Sequence, residues 1–210
     1  IKLEFPEINE VDSSLFKTIL LQETEKVMNK SAISDSLLEN QDQVIAELER
    51  SYKAFKTDFP EIKPEWYLNR TVEVVYQSKK YISIMYHEQS YLGGAHSNEI
   101  KTFKTFELKT GNQISLSQLL SNEEYLITEG LAESKFRKQK GFKPEDDLKA
   151  NGWYFPNGRF TLNNNFYLTD TSLVIRYNTY DISSYAAGAT TLEINLDKIK
   201  KAETGKNAVL

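Results

Sequence analysis

The chain has 210 residues, 40% of them hydrophobic and 27% charged, which is enough for one large domain or two small ones that fold without disulfides or a structural metal. It contains no cysteine, which excludes disulfides, thiolate metal sites and a cysteine nucleophile. Its formal net charge is −4, and its basic residues are spread along the chain. We therefore expect no nucleic-acid partner, because such binding needs a clustered basic surface.

The N-terminal third of the sequence predicts one strand followed by two helices. Residues 1–5 alternate apolar and charged side chains, as a half-buried strand does, and Pro6 ends the alternation. After residues 12–14, apolar residues recur at the spacing of an amphipathic helix. A second, longer helix is predicted to begin at Ser36, whose hydroxyl would form a capping box with the carboxylate of Glu39. The simplest arrangement is two antiparallel helices packed on a sheet.

From Trp66 onwards the apolar period changes from that of a helix to that of a strand. Alternating segments flank a turn at residues 78–80 and a glycine loop near residue 93, and a turn signal follows at residues 110–112. Loops this short cannot carry parallel crossovers, so the pattern predicts an antiparallel meander. The residues expected to alternate along its strands are Val72, Val74, Tyr76, Ile82, Ile84, Tyr86, Ile100, Thr102, Lys104, Phe106 and Leu108.

The C-terminal half predicts one more helix and further strands. Residues 114–120 fit a strand end followed by a helical turn. Asn122 is predicted to cap a helix with acidic residues in its first turn, basic residues in its last turn and Gly141 just beyond its end, as the helix dipole favours. Residues 142–159 are rich in turn signals. Strands are expected near residues 160–168, 172–178 and 190–196.

The predicted fold class is α+β, with antiparallel sheets packed against two to three helices in two intimately packed lobes. Residues 1–65 form the N-terminal strand and two-helix segment, residues 66–200 an antiparallel-sheet domain with one inserted helix, and residues 201–210 a polar tail. No flexible linker marks the seam, so one compact unit is expected. No apolar run reaches the length of about 18 residues that a membrane helix needs. The chain starts without an initiator methionine, so a signal peptide or membrane anchor is expected only upstream of it.

Five short motifs occur in order between residues 91 and 188. They are YLGGAHSN (91–98), FELKTG (106–111), ISLSQLL (114–120), LVIRY (173–177) and YDISSYAAG (180–188). In this order they resemble an extracytoplasmic family of domains of unknown function. Members of that family occur in the anti-sigma factor RsiV, which senses lysozyme, and N-terminal to the catalytic domain of the peptidoglycan deacetylase PdaC. The ordered series is much more specific than the GGAH tetrapeptide alone.

The resemblance implies a bacterial domain outside the cytoplasm, whether periplasmic, cell-surface or secreted. It also implies a binding or sensor role, for which a protein such as a lysozyme is the expected ligand. Peptidoglycan fragments are the alternative ligand, suggested by the deacetylase, and an uncharacterised hydrolase is the third hypothesis. The chain shows neither an anti-sigma segment nor a deacetylase domain, so only the generic binding role carries over.

The GGAH loop is the first candidate site. Gly93 and Gly94 could let a ligand approach the backbone closely, although glycines are also expected wherever a turn between strands needs a positive φ. His96 with Glu99, together with His87 and Glu88 nearby in sequence, suggests a zinc site. An offset of three places residues on opposite faces of an extended chain, however, so we predict no metal ligand and no cofactor. His96 is instead expected to fix the loop, and it remains a tentative ligand-binding residue.

No catalytic residue is predicted. The sequence lacks a G-x-S-x-G elbow, and neither histidine has a serine and an acid at a recognisable spacing. The acidic pairs at residues 123–124 and 146–147 are adjacent in sequence, and adjacent acids rarely converge on one bond. We therefore expect a protein that is not an enzyme.

Aromatic residues form two further candidate sites. Tyr180, Asp181 and Tyr185 could present aromatic anchors to a protein partner, or a tyrosine hydroxyl could pin a structural corner between two strands. Trp153 and Tyr154 lie between turn signals. If exposed, they could stack on a sugar ring or meet a protein, whereas a loop that folds back onto the core would bury them.

Overall fold

The computed structural model describes residues 2–4, 14–63 and 65–200 of the chain. The predicted strand end at Pro6 and the predicted tail at residues 201–210 lie outside the described residues. The helices are α1 (Ser14–Met28), α2 (Gln41–Asp58), α3 (Leu116–Leu119) and α4 (Asn122–Lys140). The strands are β1 (Lys2–Glu4), β2 (Tyr67–Gln77), β3 (Tyr81–Tyr91), β4 (Asn98–Glu107), β5 (Phe166–Leu168), β6 (Ser172–Tyr177) and β7 (Thr190–Asn195).

The described strands form two sheets. The first has the order β1-β2-β3-β4, and the second has the order β5-β6-β7 with antiparallel pairing, Ile175 lying opposite Phe166 on one side and Leu192 on the other. Strand β1 departs from the predicted antiparallel pairing, because it runs parallel to β2 with Leu3 opposite Arg70. A parallel neighbour needs a long crossover, and α1 and α2 supply it. The α+β fold class is confirmed.

The chain divides into two compact units at a different place from the predicted boundary at residue 65. The first unit comprises residues 1–74 and 85–101, and the second unit comprises residues 75–84 and 102–210. Strands β2, β3 and β4 therefore each contribute residues to both units. Sequence periodicity could not locate this division, because a strand keeps the same alternation whichever unit it packs in.

The core of the first unit contains a buried arginine. Strand β2 turns Leu68, Arg70 and Val72 inward, and Arg70 is only 1% exposed. Its Nε donates to Glu88 Oε2 at 2.8 Å, and its Nη1 donates to the carbonyl oxygens of Met28 and Lys30 at 3.2 and 2.6 Å. A buried guanidinium needs such partners, and here they include carbonyls at the C-terminal end of α1, where a positive charge is favourable.

The second helix starts later than predicted. Helix α2 begins after Asn40, whose side chain accepts the N–H of Gln43 at 3.0 Å. The capping box predicted from Ser36 is therefore wrong. Leu37 instead pairs with Lys30 in an isolated antiparallel bridge, so this segment is extended where a helix start was expected.

The meander predicted between residues 66 and 108 is present, but the residues predicted to share a face are not buried in every strand. Strand β3 buries Ile82, Ile84 and Tyr86. In β4 the buried residues include Phe103 and Thr105, whereas Ile100 on the predicted face is 36% exposed. Alternation fixes which residues share a face, but the face that is covered depends on neighbours distant in sequence.

Helix α4 contributes to the core of the second unit. The residue before it, Ser121, forms the capping box with Glu124, so the cap is one residue earlier than the predicted Asn122. Gly141 ends the helix in the left-handed conformation, φ +76°, as predicted. Phe136 on α4 is fully buried among residues that include Ile175 of the three-stranded sheet.

Three asparagines, residues 163–165, lie in the middle of the strand predicted at residues 160–168. Asn163 donates to a carbonyl oxygen of β6 at 2.8 Å, and Asn164 accepts the first N–H of α3 at 3.0 Å. Asn165 accepts the N–H of Phe103 in β4 at 2.7 Å. Asparagine side chains that serve backbone groups in this way compete with a regular ladder, so only the last three residues of the prediction form a strand.

Candidate functional site

The first candidate site, the GGAH loop, connects β3 and β4 in the first unit. Gly93 has φ +83°, and a Cβ added there would lie 2.8 Å from Trp66 Nε1 and 2.9 Å from Phe55 Cζ. Two aromatic rings therefore pack where any other side chain would begin. Gly94 and His96 are exposed. The structure thus gives Gly93 a packing role, and a ligand-binding role for the loop stays a prediction.

Of the residues that suggested a zinc site from the sequence, two bind each other and a third binds an arginine. His87 Nε2 lies 2.8 Å from Glu99 Oε1, while Glu88 binds Arg70. No group of three potential ligands among histidine, aspartate and glutamate is placed to hold a metal ion in the part of the chain that the structure describes. His96 lies in the exposed loop three residues before Glu99.

Trp153 does not belong to an open surface, which corrects its assignment as a ligand-binding residue. It is 7% exposed, and its ring meets Phe136 edge to face with the centroids 4.9 Å apart. The Lys140 ammonium lies 4.8 Å from its ring centroid. The segment has folded back onto the core because the indole finds aromatic neighbours there. Tyr154, the next residue along, faces outward and is 63% exposed.

Tyr154 lies beside the loop that carries the other predicted residues. Its N–H donates to the carbonyl oxygen of Ile182 at 2.7 Å, which joins the two segments. Tyr180 is 62% exposed, and its ring lies 5.7 Å from that of Tyr185 at an interplanar angle of 42°. We call Tyr154, Tyr180, Asp181 and Tyr185 the tyrosine surface. All four lie in the second unit.

The loop holds Tyr180 in an uncommon backbone conformation. Tyr180 has φ +72°, in the left-handed region that a bulky side chain rarely adopts. Asp181 stabilises the turn, because its Oδ2 accepts the N–H of Asn178 at 2.7 Å and its own N–H donates to Asn178 O at 3.1 Å. Strain of this kind persists only where the surroundings impose it, and it is concentrated at functional sites.

A small pocket lies next to this loop and was not identified from the sequence. Its volume is about 270 Å³. Its lining residues are Phe155, Pro156, Thr161, Leu162, Asn163, Tyr177, Asp181 and Ile182. The apolar residues among them are ordinary core candidates by pattern, so no sequence signal distinguished them. Among the lining residues, the sequence predicts a ligand-binding role only for Asp181.

Tyr177 is the tyrosine that pins the chain here. It is 2% exposed, and its hydroxyl donates to the carbonyl oxygen of Thr161 at 2.6 Å. A structural corner of this kind had been considered for Tyr180 and Tyr185, whose rings are instead largely exposed or at the surface. Burial raises the pKa of the Tyr177 phenol far above its ordinary value, and the nearby Tyr125, Glu129 and Asp181 add to this shift.

The raised pKa of Tyr177 predicts a loss of stability in alkali. Above about pH 10 the unfolded tyrosine ionises while the folded one stays protonated, so the folded state loses up to about 1.4 kcal/mol per pH unit from this group. Tyr177→Phe should cost about 1–2 kcal/mol at neutral pH through the lost hydrogen bond, and should flatten the alkaline slope. Urea unfolding at several pH values between about 8 and 11 measures both. Equal slopes for the variant and the wild type would contradict the prediction.

Comparisons with known proteins agree with the resemblance seen in the sequence. Residues 117–197 match the family described as "Protein of unknown function (DUF3298)", and residues 1–99 match the family described as "Deacetylase PdaC". A DUF3298-family crystal structure from Bacteroides fragilis has a TM-score of 0.67 at 19% identity, covering 91% of this chain and 79% of its own. A DUF3298-family crystal structure from Pseudomonas aeruginosa PAO1 has a TM-score of 0.60 at 18% identity, and the match covers 87% of this chain and 77% of that one. At such low identities, the TM-scores show a shared fold alone. No curated protein matches the sequence.

Proposed function

Because the chain joins an N-terminal segment of the PdaC type to a DUF3298 segment, we propose that it is a non-catalytic binding or sensor domain. Its ligand is a protein, and the tyrosine surface binds it. The observation that carries this proposal is the outward-facing pair of rings of Tyr180 and Tyr185, beside the exposed ring of Tyr154. The placement outside the cytoplasm that the resemblance implies is part of the same proposal.

Exposed tyrosines on a fixed loop are suited to protein recognition. Tyrosine is enriched among the residues that carry most of the binding energy at interfaces, because it combines a large apolar ring with a hydroxyl and few rotatable bonds. The loop of Tyr180 is anchored by Asp181 and by the bond from Tyr154 to Ile182, so little conformational entropy remains to be lost on binding.

Charge and the resemblance support the choice of ligand in this proposal. A chain of net charge −4 favours encounter with a basic protein, and the resemblance suggests a lysozyme. A peptidoglycan ligand is the alternative; of the two aromatic residues expected to floor a glycan groove, Trp153 is buried and Tyr154 is exposed. We therefore retain the glycan as an outcome of the test. No helix within the described ranges has the length and hydropathy needed to cross a membrane.

The test measures, by calorimetry, the binding of a purified c-type lysozyme and of peptidoglycan fragments to the whole chain. Tyr185→Ala and Tyr180→Asn should each weaken lysozyme binding at least about tenfold, because they remove central aromatic anchors. Asparagine tolerates the left-handed conformation at residue 180, so the second variant removes the ring while keeping the turn.

The matched control is Tyr67→Ala. Tyr67 is 38% exposed and stacks on Tyr91 with the ring centroids 6.5 Å apart, so the first unit also presents a pair of tyrosine rings, away from the tyrosine surface. An effect of Tyr67→Ala without one of Tyr180→Asn would move the site to the first unit and overturn the assignment. Binding of the fragments alone would replace the protein ligand by a glycan, and binding of neither at micromolar concentration would reject both.

A further inference from the structure

We propose that the pocket beside the tyrosine surface receives a lysine or arginine side chain of the ligand protein, with the Asp181 carboxylate binding the cation. The inference rests on the proposed function and specifies the chemistry of the ligand. The feature that motivates it is a cavity whose walls are mainly apolar, with one carboxylate among its lining residues.

The dimensions of the pocket fit one side chain better than a small molecule. Its volume of about 270 Å³ lies below the range of about 300–1,000 Å³ that is usual for sites of drug-sized ligands. Interface anchors, by contrast, are single side chains that fill a pocket of the partner. Phe155, Leu162 and Ile182 supply apolar wall for the aliphatic stem of a lysine or arginine.

Asp181 retains capacity to bind a cation. Its Oδ2 accepts the N–H of Asn178, and none of the ion pairs found between described residues involves this carboxylate. Arg176 is close in sequence, but its guanidinium donates to Asn178 Oδ1 at 3.1 Å and to Thr191 Oγ1 at 3.3 Å. The negative charge of Asp181 is therefore not neutralised by a bonded arginine or lysine of this part of the chain.

Two carboxylates act on the pocket wall. The carboxylates of Glu129 and Asp181 both contribute to raising the pKa of Tyr177, which is a lining residue, so both charges act at the pocket wall. An anion would be repelled there. An uncharged apolar side chain would desolvate the Asp181 carboxylate without compensating it, whereas a lysine or arginine would pair with it.

The tyrosine surface supplies a second source of attraction for a cation. Tyr180 directly precedes Asp181, and its exposed ring pairs with that of Tyr185. The face of an aromatic ring attracts ammonium and guanidinium groups. A basic side chain that approaches the pocket across these rings would therefore be stabilised before and after it reaches the carboxylate.

The experiment titrates the whole chain with three blocked amino acids, namely the N-acetyl methylamides of lysine, arginine and norleucine. Binding is followed through the backbone amide resonances of Asp181 and Ile182 in NMR spectra. We expect saturable shifts with the lysine or the arginine compound, at a Kd at least about fivefold lower than for norleucine, which has the apolar stem without the charge. Equal affinity for all three compounds, or no saturable shift with any, would overturn the inference without requiring a variant.

Asp181→Asn then tests the carboxylate itself. The amide oxygen can still accept the N–H of Asn178, so the turn is kept while the charge is lost. The control is Asp147→Asn, since Asp147 is also exposed, also accepts a backbone N–H with its carboxylate, that of Ala150 at 3.1 Å, and does not line the pocket. Only Asp181→Asn should reduce the preference for the basic compounds, and an equal effect of the two variants would contradict the inference.

The two proposals fail in different ways. If a lysozyme binds and Tyr185→Ala weakens it while Asp181→Asn does not, the protein-binding function stands and the basic anchor is rejected. If the basic compounds bind in the pocket but no protein ligand binds, the pocket assignment stands and the proposed function is rejected.

Discussion

Replacing Arg70 by methionine is expected to destabilise the first unit by about 3 kcal/mol or more. Methionine retains much of the apolar volume but leaves the carbonyl oxygens of Met28 and Lys30 without their donor. It also leaves Glu88 without its ion-pair partner. The Glu88 side chain is 29% exposed, so water compensates part of its charge, and the loss is placed at the lower end of the range for broken buried ion pairs.

The effect of Arg70→Met on stability can be measured in the first unit by itself. It has two tryptophans, and Trp66 lies in the first unit while Trp153 lies in the second. In a Trp153→Phe background, urea unfolding followed by fluorescence reports the surroundings of Trp66. Arg70→Met should lower the midpoint of that transition.

Arg50→Met is the control for Arg70→Met. Arg50 is exposed on α2 in the same unit, so the same change of residue should alter stability there by no more than about 0.5 kcal/mol. Arg70→Lys keeps the positive charge but has one donor group in place of a planar fork, and an intermediate loss is expected. Equal stabilities of the Arg70→Met and Arg50→Met proteins would show that the buried network contributes nothing.

Gly93→Ala is expected to cost roughly 2–5 kcal/mol, for two separate reasons. An alanine at φ +83° pays about 1–2 kcal/mol for the left-handed backbone. Its Cβ would also lie 2.8 Å from Trp66 Nε1 and 2.9 Å from Phe55 Cζ, and overpacking of this kind costs about 1–3 kcal/mol. The indole must move, so the fluorescence of Trp66 should change together with the unfolding midpoint.

The neighbouring glycine provides a control in the same loop. A Cβ at Gly94 would have its nearest neighbour, the carbonyl oxygen of His96, at 4.0 Å, so Gly94→Ala should be close to neutral. If the two alanine variants proved equally stable, the packing role assigned to Gly93 would be wrong. If Gly93→Ala abolished ligand binding while leaving stability unchanged, the loop would be a binding site in its own right.

Much of the fold was predictable because the relevant signals are local. The N-cap and C-terminal glycine of α4, the strand alternation in β3 and the turn at residues 78–80 depend on residues a few positions apart. The structure contains them all, with the cap at Ser121 instead of the predicted Asn122. The misplaced start of α2 shows the limit of such signals. Ser36 and Asn40 are both good caps by residue type, and the bridge between Leu37 and Lys30 is what selects Asn40.

The candidate site was predictable only in outline. The sequence brought forward Tyr154, Tyr180, Asp181 and Tyr185, and the structure places them on adjoining segments. It could not show that Trp153 is buried, since a tryptophan between turn residues reads the same on a surface and in a core. It also gave no sign of the left-handed backbone of Tyr180.

The sequence by itself determined the α+β class, the order of the elements, the family resemblance and the absence of cysteine chemistry, because each depends on composition or on neighbours along the chain. Only the tertiary structure decided that Arg70 is buried, that Gly93 receives two aromatic rings and that Asp181 lines a pocket. In each case the deciding atoms belong to residues many positions away. Burial and charge compensation depend on which atoms surround a group in space, and no local pattern specifies them.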